Sequence, residues 1–211
     1  MRSLIIETAT AACSVALIEG GLEGGVVIAS AHEVVGRGHA ERLVSMVAEL
    51  PEGGRAARIL VDCGPGSFTG VRVGIAAARG LALGWGAEAN GFSSLALIAA
   101  AGFAANPGWT SLAVVLEGGH GEVFMQAFDA PLTPLGALAS LKPEVALAAL
   151  AGRPAIGNGV RFLRPLDADA RLVEALPCAA DAVLLPKALA ALPPRPIYGR
   201  APDAKPLMAR T

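Results

Sequence analysis

Apolar residues in the first half of the chain change period several times. Leu4 to Glu7, Ser14 to Glu19 and Val26 to Ala31 are short β-branched or alternating runs separated by Thr-Ala-Thr and Gly-Gly. They predict consecutive antiparallel strands. From His39 to Leu50 the spacing becomes helical: Leu43, Val44, Val47 and Leu50 fall on one face with Met46 at its margin, and Pro51 with Gly53-Gly54 ends the helix. Arg58 to Cys63 reads as a buried strand, the loop from Gly64 to Gly70 follows, and Val71 to Leu83 is helical again. Ser93 or Ser94 caps a further helix through Ala105, which Asn106-Pro107-Gly108 breaks.

That break is the predicted lobe boundary, dividing residues 1–106 from a smaller lobe of residues 107–211 with an extended tail. Beyond it, Ser111 to Leu116 and Glu122 to Phe128 read as strands around a glycine-rich turn, and Pro143 starts a helix to Leu150. Ala155 to Val160 reads as a strand entering Gly-Asn-Gly, and Ala180 to Leu192 as a last helix containing Pro186. Strands, helix, strand and helix, then a smaller repetition, predict two α/β lobes on mixed sheets.

Composition narrows the classes. With 211 residues, 54% hydrophobic, 17% charged and a net charge of −1, the chain is long and apolar enough to bury a real core. Arg72 and Arg79 interrupt the longest apolar stretch, so no membrane span is predicted. An acid in the first apolar segment, Glu7, and no small-residue cleavage site argue against a signal peptide. Cys13, Cys63 and Cys178 are widely spaced and predict free thiols in a reducing cytoplasm. The balanced charge argues against independent nucleic-acid binding, since only the tail, with Arg195, Arg200, Lys205 and Arg210, leans basic.

The sharpest local signal is Gly64-Pro65-Gly66-Ser67-Phe68-Thr69-Gly70. It lacks the lysine of a Walker loop, and Thr69 stands where a dinucleotide fingerprint needs its third glycine. Two readings stay open: an anion held by amides at the helix start, or a tight turn in which Ser67 or Thr69 caps the helix and the glycines take positive φ. Glu7-Thr8-Ala9-Thr10 likewise reads as a magnesium and phosphate turn or as an ordinary hairpin turn. In the following helix Gly74 and Ala78 lie four apart, as do Gly80 and Gly84. Interior glycine costs a helix about 1 kcal/mol, so the small face implies close packing, within the chain or with another. Arg72 and Arg79 share a face that can pair with acids on a neighbour.

Hydrolase patterns fail. Gly36 sits where His32-Glu33 would need a second histidine, Leu43 stands four residues after His39, and Pro65 and Thr69 flank Ser67 where an elbow needs glycines. No metal set is predicted. His120 reads as an exposed turn residue.

Together these segments resemble the TsaB/YeaZ family, the dimerisation subunit of the bacterial tRNA threonylcarbamoyladenosine synthase. The matching pieces are Ile6 to Thr10 with Cys13 to Leu17, His39-Ala40-Glu41-Arg42-Leu43, Gly64 to Gly74 with Gly80-Leu81-Ala82, Ser93-Ser94-Leu95, Gly121 to Phe124, and Arg200-Ala201-Pro202. The Gly64 to Arg72 block carries the specificity. The resemblance implies an actin-like ATPase (ASKHA, RNase H-like) fold of two lobes, each a mixed sheet flanked by helices. It implies a cytoplasmic, non-catalytic partner of a TsaD-type subunit that transfers threonylcarbamoyl to adenosine of tRNAs reading ANN codons. A TsaE-type ATPase would act on that heterodimer, tRNA would be reached through the complex, and a homodimer would form when the partner is absent. An autonomous actin-fold ATPase or kinase is the alternative. No cofactor is required by this chain, with weak ATP or ADP binding at the subunit junction left open.

The implied partner interface is His39, Arg42, Leu43, Met46, Arg72, Gly74, Ala78 and Leu81, with the stripe at Gly74, Ala78 and Leu81 facing the other chain. The implied vestigial phosphate loops are Glu7, Thr8, Thr10, Gly64, Gly66, Ser67, Thr69 and Gly70. The chain departs from the family pattern at Glu7, where aspartate is usual, at Asp62-Cys63, where Gly-Arg is common, and at Glu117, where many members have aspartate.

Overall fold

The computed structural model describes residues 1–200, so Ala201, Pro202, Lys205 and Arg210 of the tail lie outside the described residues. The first sheet contains β1 (Arg2–Glu7), β2 (Ala12–Glu19), β3 (Val26–Val34), β4 (Arg58–Asp62) and β5 (Glu88–Phe92), in the order β3-β2-β1-β4-β5. Strands β1 to β3 pair antiparallel; β4 and β5 join parallel through crossover helices. These crossovers are α1 (His39–Glu49) before β4 and α2 (Phe68–Trp85) before β5.

The second sheet repeats that plan without detectable sequence repetition. Strands β6 (Ser111–Gly119), β7 (Glu122–Asp129) and β8 (Thr133–Leu141) are antiparallel, and β9 (Ala155–Ile156) and β10 (Leu172–Val173) add parallel on the other side. The order β8-β7-β6-β9-β10 is the first sheet's order again. Between the sheets lies α3 (Ser94–Ala105), apolar all round and buried over most of its length. Helix α4 (Pro143–Leu150) covers the outer face of the second sheet.

The period of 2 in β1 and β4 decides which core each side chain enters. Leu4, Ile6, Ile59 and Val61 point to α1 and α2; Ile5 and Leu60 point to α3 and the second sheet. Both faces of the first sheet are therefore covered, which is why its central strands are continuously apolar.

Several expectations are corrected. Strands β5, β8 and β10 carry no strong alternation and were not expected; each is an edge strand, paired along one side only. The expected strand to Val160 stops at Ile156, because Gly157 turns at φ +131° and a 3₁₀ turn (Asn158–Phe162) follows. The expected helix from Ala180 to Leu192 is two 3₁₀ segments, Ala179–Leu184 and Lys187–Ala190, separated at Pro186. Proline has no amide hydrogen to donate and pushes its predecessor out of helical geometry. This stretch, numbered with the second lobe, packs on the first: Ala179 N donates to Ser14 Oγ at 3.0 Å, and Arg58 donates to the Ala190 carbonyl at 2.9 Å.

Ser67, not Thr69, caps α2, its hydroxyl accepting from Gly70 N at 3.2 Å. Ser67→Ala is expected to lower stability by about 1 kcal/mol in denaturant titrations. Thr69→Ala, at an exposed side chain, should stay within about 0.5 kcal/mol of the parent.

Candidate functional site

The β1–β2 loop and the loop before α2 are built against each other. Ser67 N donates to the Ala9 carbonyl at 2.6 Å, and Thr8 Oγ1 donates to the Gly70 carbonyl at 2.8 Å. A Cβ on Gly66 would collide with the Ala9 carbonyl oxygen, one on Gly70 with the Thr8 carbonyl oxygen, and one on Gly74 with Thr8 Oγ1. Only Gly64, at φ +93°, needs the left-handed region; Gly66 and Gly70 serve close approach, which corrects the expectation of positive φ throughout. Thr10 Oγ1 accepts from Ala12 N within its own turn. Glu7, Thr8, Thr10, Gly64, Gly66, Ser67 and Gly70 thus hold backbone together, and Thr10, Gly66 and Ser67 also border the open cleft between the lobes. Thr69 alone of that set is an exposed side chain with no such contact among the described hydrogen bonds.

Beneath the loops lie two carboxyls, Glu7 and Asp62, both with 0% exposure. Glu7 Oε1 accepts from Ala9 N at 2.6 Å; Asp62 Oδ1 accepts from Gly64 N and from Ser94 Oγ, each at 2.7 Å. Burial, and then the Asp62 charge, push Glu7 well above the usual carboxylate range. Burial lifts Asp62 to about 7. The neighbouring thiols are also inert, burial pushing Cys13 and Cys63 each up to about 11. No group of three or more metal-ligating side chains converges among the described residues. A magnesium site of the kind a kinase needs does not fit acids sealed under their own loops.

A cleft of about 920 Å³ opens between the lobes, with Thr10, Ser67 and Arg72 on one wall and Glu117, His120 and Asn158 on the other. Arg161 pairs with Glu117 at 2.6 Å. The chain's last described stretch closes one end: Ile197 N donates to the Cys63 carbonyl at 2.7 Å, and a Cβ on Gly199 would collide with the Phe124 ring. Arg72 lies 3.3 Å over the Phe68 ring and donates to Tyr198 Oη at 2.9 Å, while Arg79 donates to the Pro194 carbonyl. Both arginines thus hold the tail of their own chain. Tyr198 had no signal in the sequence, since its partner is 126 residues away.

The residues expected at a partner interface mostly face inward. His39 is buried, its Nε2 2.9 Å from the Ala12 carbonyl; Leu43 and Met46 sit in the core under α1. Gly74 and Ala78 are buried against β1 and β4, and half-buried Leu81 packs on the same cluster. Their side chains meet their own sheet, which corrects the expectation that this stripe faces another chain. Arg42 bridges Glu33 and Glu49, and those bonds hold both carboxylates below their ordinary range. What α1 and α2 show outward is different. Val44, expected in the core, is 67% exposed, Leu83 is 87% exposed, and Ala76, Gly80 and Gly84 lie on the same outer face of α2. A Cβ on Gly80 or Gly84 would meet nothing. The signal was legible in the four-residue spacing of Gly80 and Gly84; which of two small stripes faces out was not.

Two glycine substitutions on one helix should therefore have opposite signs. Gly70→Ala is expected to destabilise the chain by about 1–3 kcal/mol, because the Thr8 carbonyl must move. Gly80→Ala should stabilise it by up to about 1 kcal/mol, as an open helix position does. Thermal and denaturant unfolding of both variants measure this.

Comparison with known proteins agrees with the geometry. The model of the family described as TsaD, tRNA N6-adenosine threonylcarbamoyltransferase, matches residues 23–136. The tRNA threonylcarbamoyladenosine biosynthesis protein TsaB of Escherichia coli K12 is 36% identical over 135 residues, which cover 61% of this chain and 55% of the relative. The match thus spans about half the length of that relative. The solved structure of YeaZ from Pseudomonas aeruginosa aligns with a TM-score of 0.72 at 30% identity, covering 87% of this chain and 89% of that one. A second solved protein, described as similar to peptidase YEAZ from Pseudomonas aeruginosa, aligns with a TM-score of 0.75 at 29% identity, covering 94% and 99%. With two mixed sheets of one topology and helices on their faces, the chain has the actin-like fold and belongs to the TsaB/YeaZ family.

Proposed function

We propose that this chain is the partner subunit of a TsaD-type transferase, docking through the outer face of α1 and α2, and that the complex places threonylcarbamoyl on adenosine of tRNAs reading ANN codons. The observation that carries the docking is the exposed face of α2. Gly80 and Gly84 weaken the helix interior, open onto empty space, and lie beside the exposed Leu83. Among the described residues nothing packs there to compensate. A second helix can approach such a face backbone to backbone, and Val44 on the adjoining α1 widens the apolar area.

The reading as a subunit without chemistry of its own is supported by what the loops do. Their glycines and hydroxyls are engaged with each other, the acids lie beneath them, and the two buried thiols are neutral. In this proposal a TsaE-type ATPase acts on the heterodimer, tRNA is reached through the complex in the cytoplasm, and two copies of this chain meet through the same face when the transferase is absent.

The test is co-purification and titration with the TsaD-type subunit. Gly80→Leu and Leu83→Asp are expected to weaken the complex at least about tenfold, with the melting temperature of the free chain unlowered. An intact complex in both variants overturns the docking surface. Gly74→Leu is the control with the opposite logic, since it should unfold the free chain by driving a side chain into Thr8. ATP turnover by the isolated chain, lost in Thr10→Ala, would instead establish the autonomous ATPase.

A further inference from the structure

Glu7 and Asp62 are C-terminal neighbours on adjacent parallel strands, each one residue beyond the paired Ile6 and Val61. Each uses one carboxyl oxygen well, on backbone amides or on Ser94. Each also keeps one oxygen, Glu7 Oε2 and Asp62 Oδ2, fully buried with no donor. Two orphaned oxygens on adjoining carboxyls are an anomaly, because a buried charge without a partner is among the most costly arrangements a fold can hold.

The surroundings offer no cation to settle it. From β2 Ser14 stands opposite Glu7 in the ladder, the Ala9 amide donates to Glu7, the Gly64 amide and the Ser94 hydroxyl donate to Asp62, and the thiols of Cys13 and Cys63 beside them are kept protonated by burial. All are neutral. Among the described residues no arginine, lysine or histidine hydrogen-bonds or ion-pairs with either carboxyl. Because the parallel register puts Glu7 and Asp62 side by side at the ends of β1 and β4, one proton held between the two free oxygens would satisfy both, as donor from one carboxyl and acceptor on the other, and leave a single charge for the amides to hold.

We propose that Glu7 and Asp62 share one proton between Glu7 Oε2 and Asp62 Oδ2, and that this proton fastens the β1–β2 loop to the loop before α2. The pair titrates as a unit. Losing the proton would set two like charges against each other in a dry interior directly under both loops, so the seat of α2 loosens as pH rises.

The sign follows from the direction of the shifts. Both carboxyls hold protons more tightly in the folded chain than their ordinary values of 4.5 and 3.8. The stabilisation is therefore fully present below those values and is lost as pH rises through the folded ones, Asp62's near 7 and Glu7's raised with it. Surface carboxylates held by Arg42 run the other way, so the pair is isolated by comparison with a variant and not from the parent's curve alone.

The experiment is a thermal melt of wild type, Glu7→Gln and Asp62→Asn from about pH 5 to about pH 9. A carboxamide donates to the remaining carboxylate at every pH. The variants should match wild type near pH 5 and exceed it by about 3 °C or more near pH 9. Curves that stay parallel overturn the proposal. Infrared spectra of wild type decide the matter even if the variants fail to fold: a protonated-carboxyl band should be present at neutral pH. Its absence, together with a melting temperature that falls on adding EDTA, would assign the gap to a buried cation and overturn the shared proton. This inference does not rest on the docking face, because the pair lies inside the lobe whether or not a partner binds.

Discussion

The close seating of α2 on the backbone of Thr8 and Ala9 is the contact on which the rest of the molecule depends. Two carbonyl oxygens and one hydroxyl occupy the places where side-chain carbons of residues 66, 70 and 74 would stand. Because those positions are glycine, the helix lies directly on the first sheet, and Val71, Ile75 and Ala78 complete the core beneath it. The same seating locks the two loops to each other and turns the opposite face of α2 outward.

Electrostatics inside the first lobe follow the same economy. The charged groups that reach its interior are two acids, and around them are hydroxyls, amides and thiols kept neutral by burial. Cations are arranged outside, where Arg42 joins β3 to α1 and where Arg72 and Arg79 hold the tail. The tail is tied to the first turns of α2 and, through Phe124, to the second sheet, so it borders the cleft on both sides.

Much of the fold was legible because its central strands are covered on both faces. Continuous apolar runs at Leu4, Val15 and Ile59, and Ser-capped helices, mark themselves in any reading. Strands β5, β8 and β10 left almost no trace, since an edge strand pairs on one side and half its surface meets solvent or a passing segment. The last expected helix failed for a local reason that was in plain view at Pro186. In the site, the glycine loop and the two helices lie where the sequence put them. Their roles were not legible there, because a glycine needed for a positive φ, one needed for a close approach and one left open look alike in a sequence.

By itself the sequence determined the central strands and main helices, the α/β class, the family and the absence of the standard phosphate and zinc patterns. Those depend on period, spacing and residue type, which are properties of neighbours along the chain. Only the tertiary structure decided that Gly74 and Ala78 face inward while Gly80 and Leu83 face out, that Tyr198 clamps Arg72, and that Glu7 and Asp62 are buried at the ends of neighbouring strands. Each is a contact across tens of residues, set by which face of a helix lies on the sheet and by the parallel register of β1 and β4.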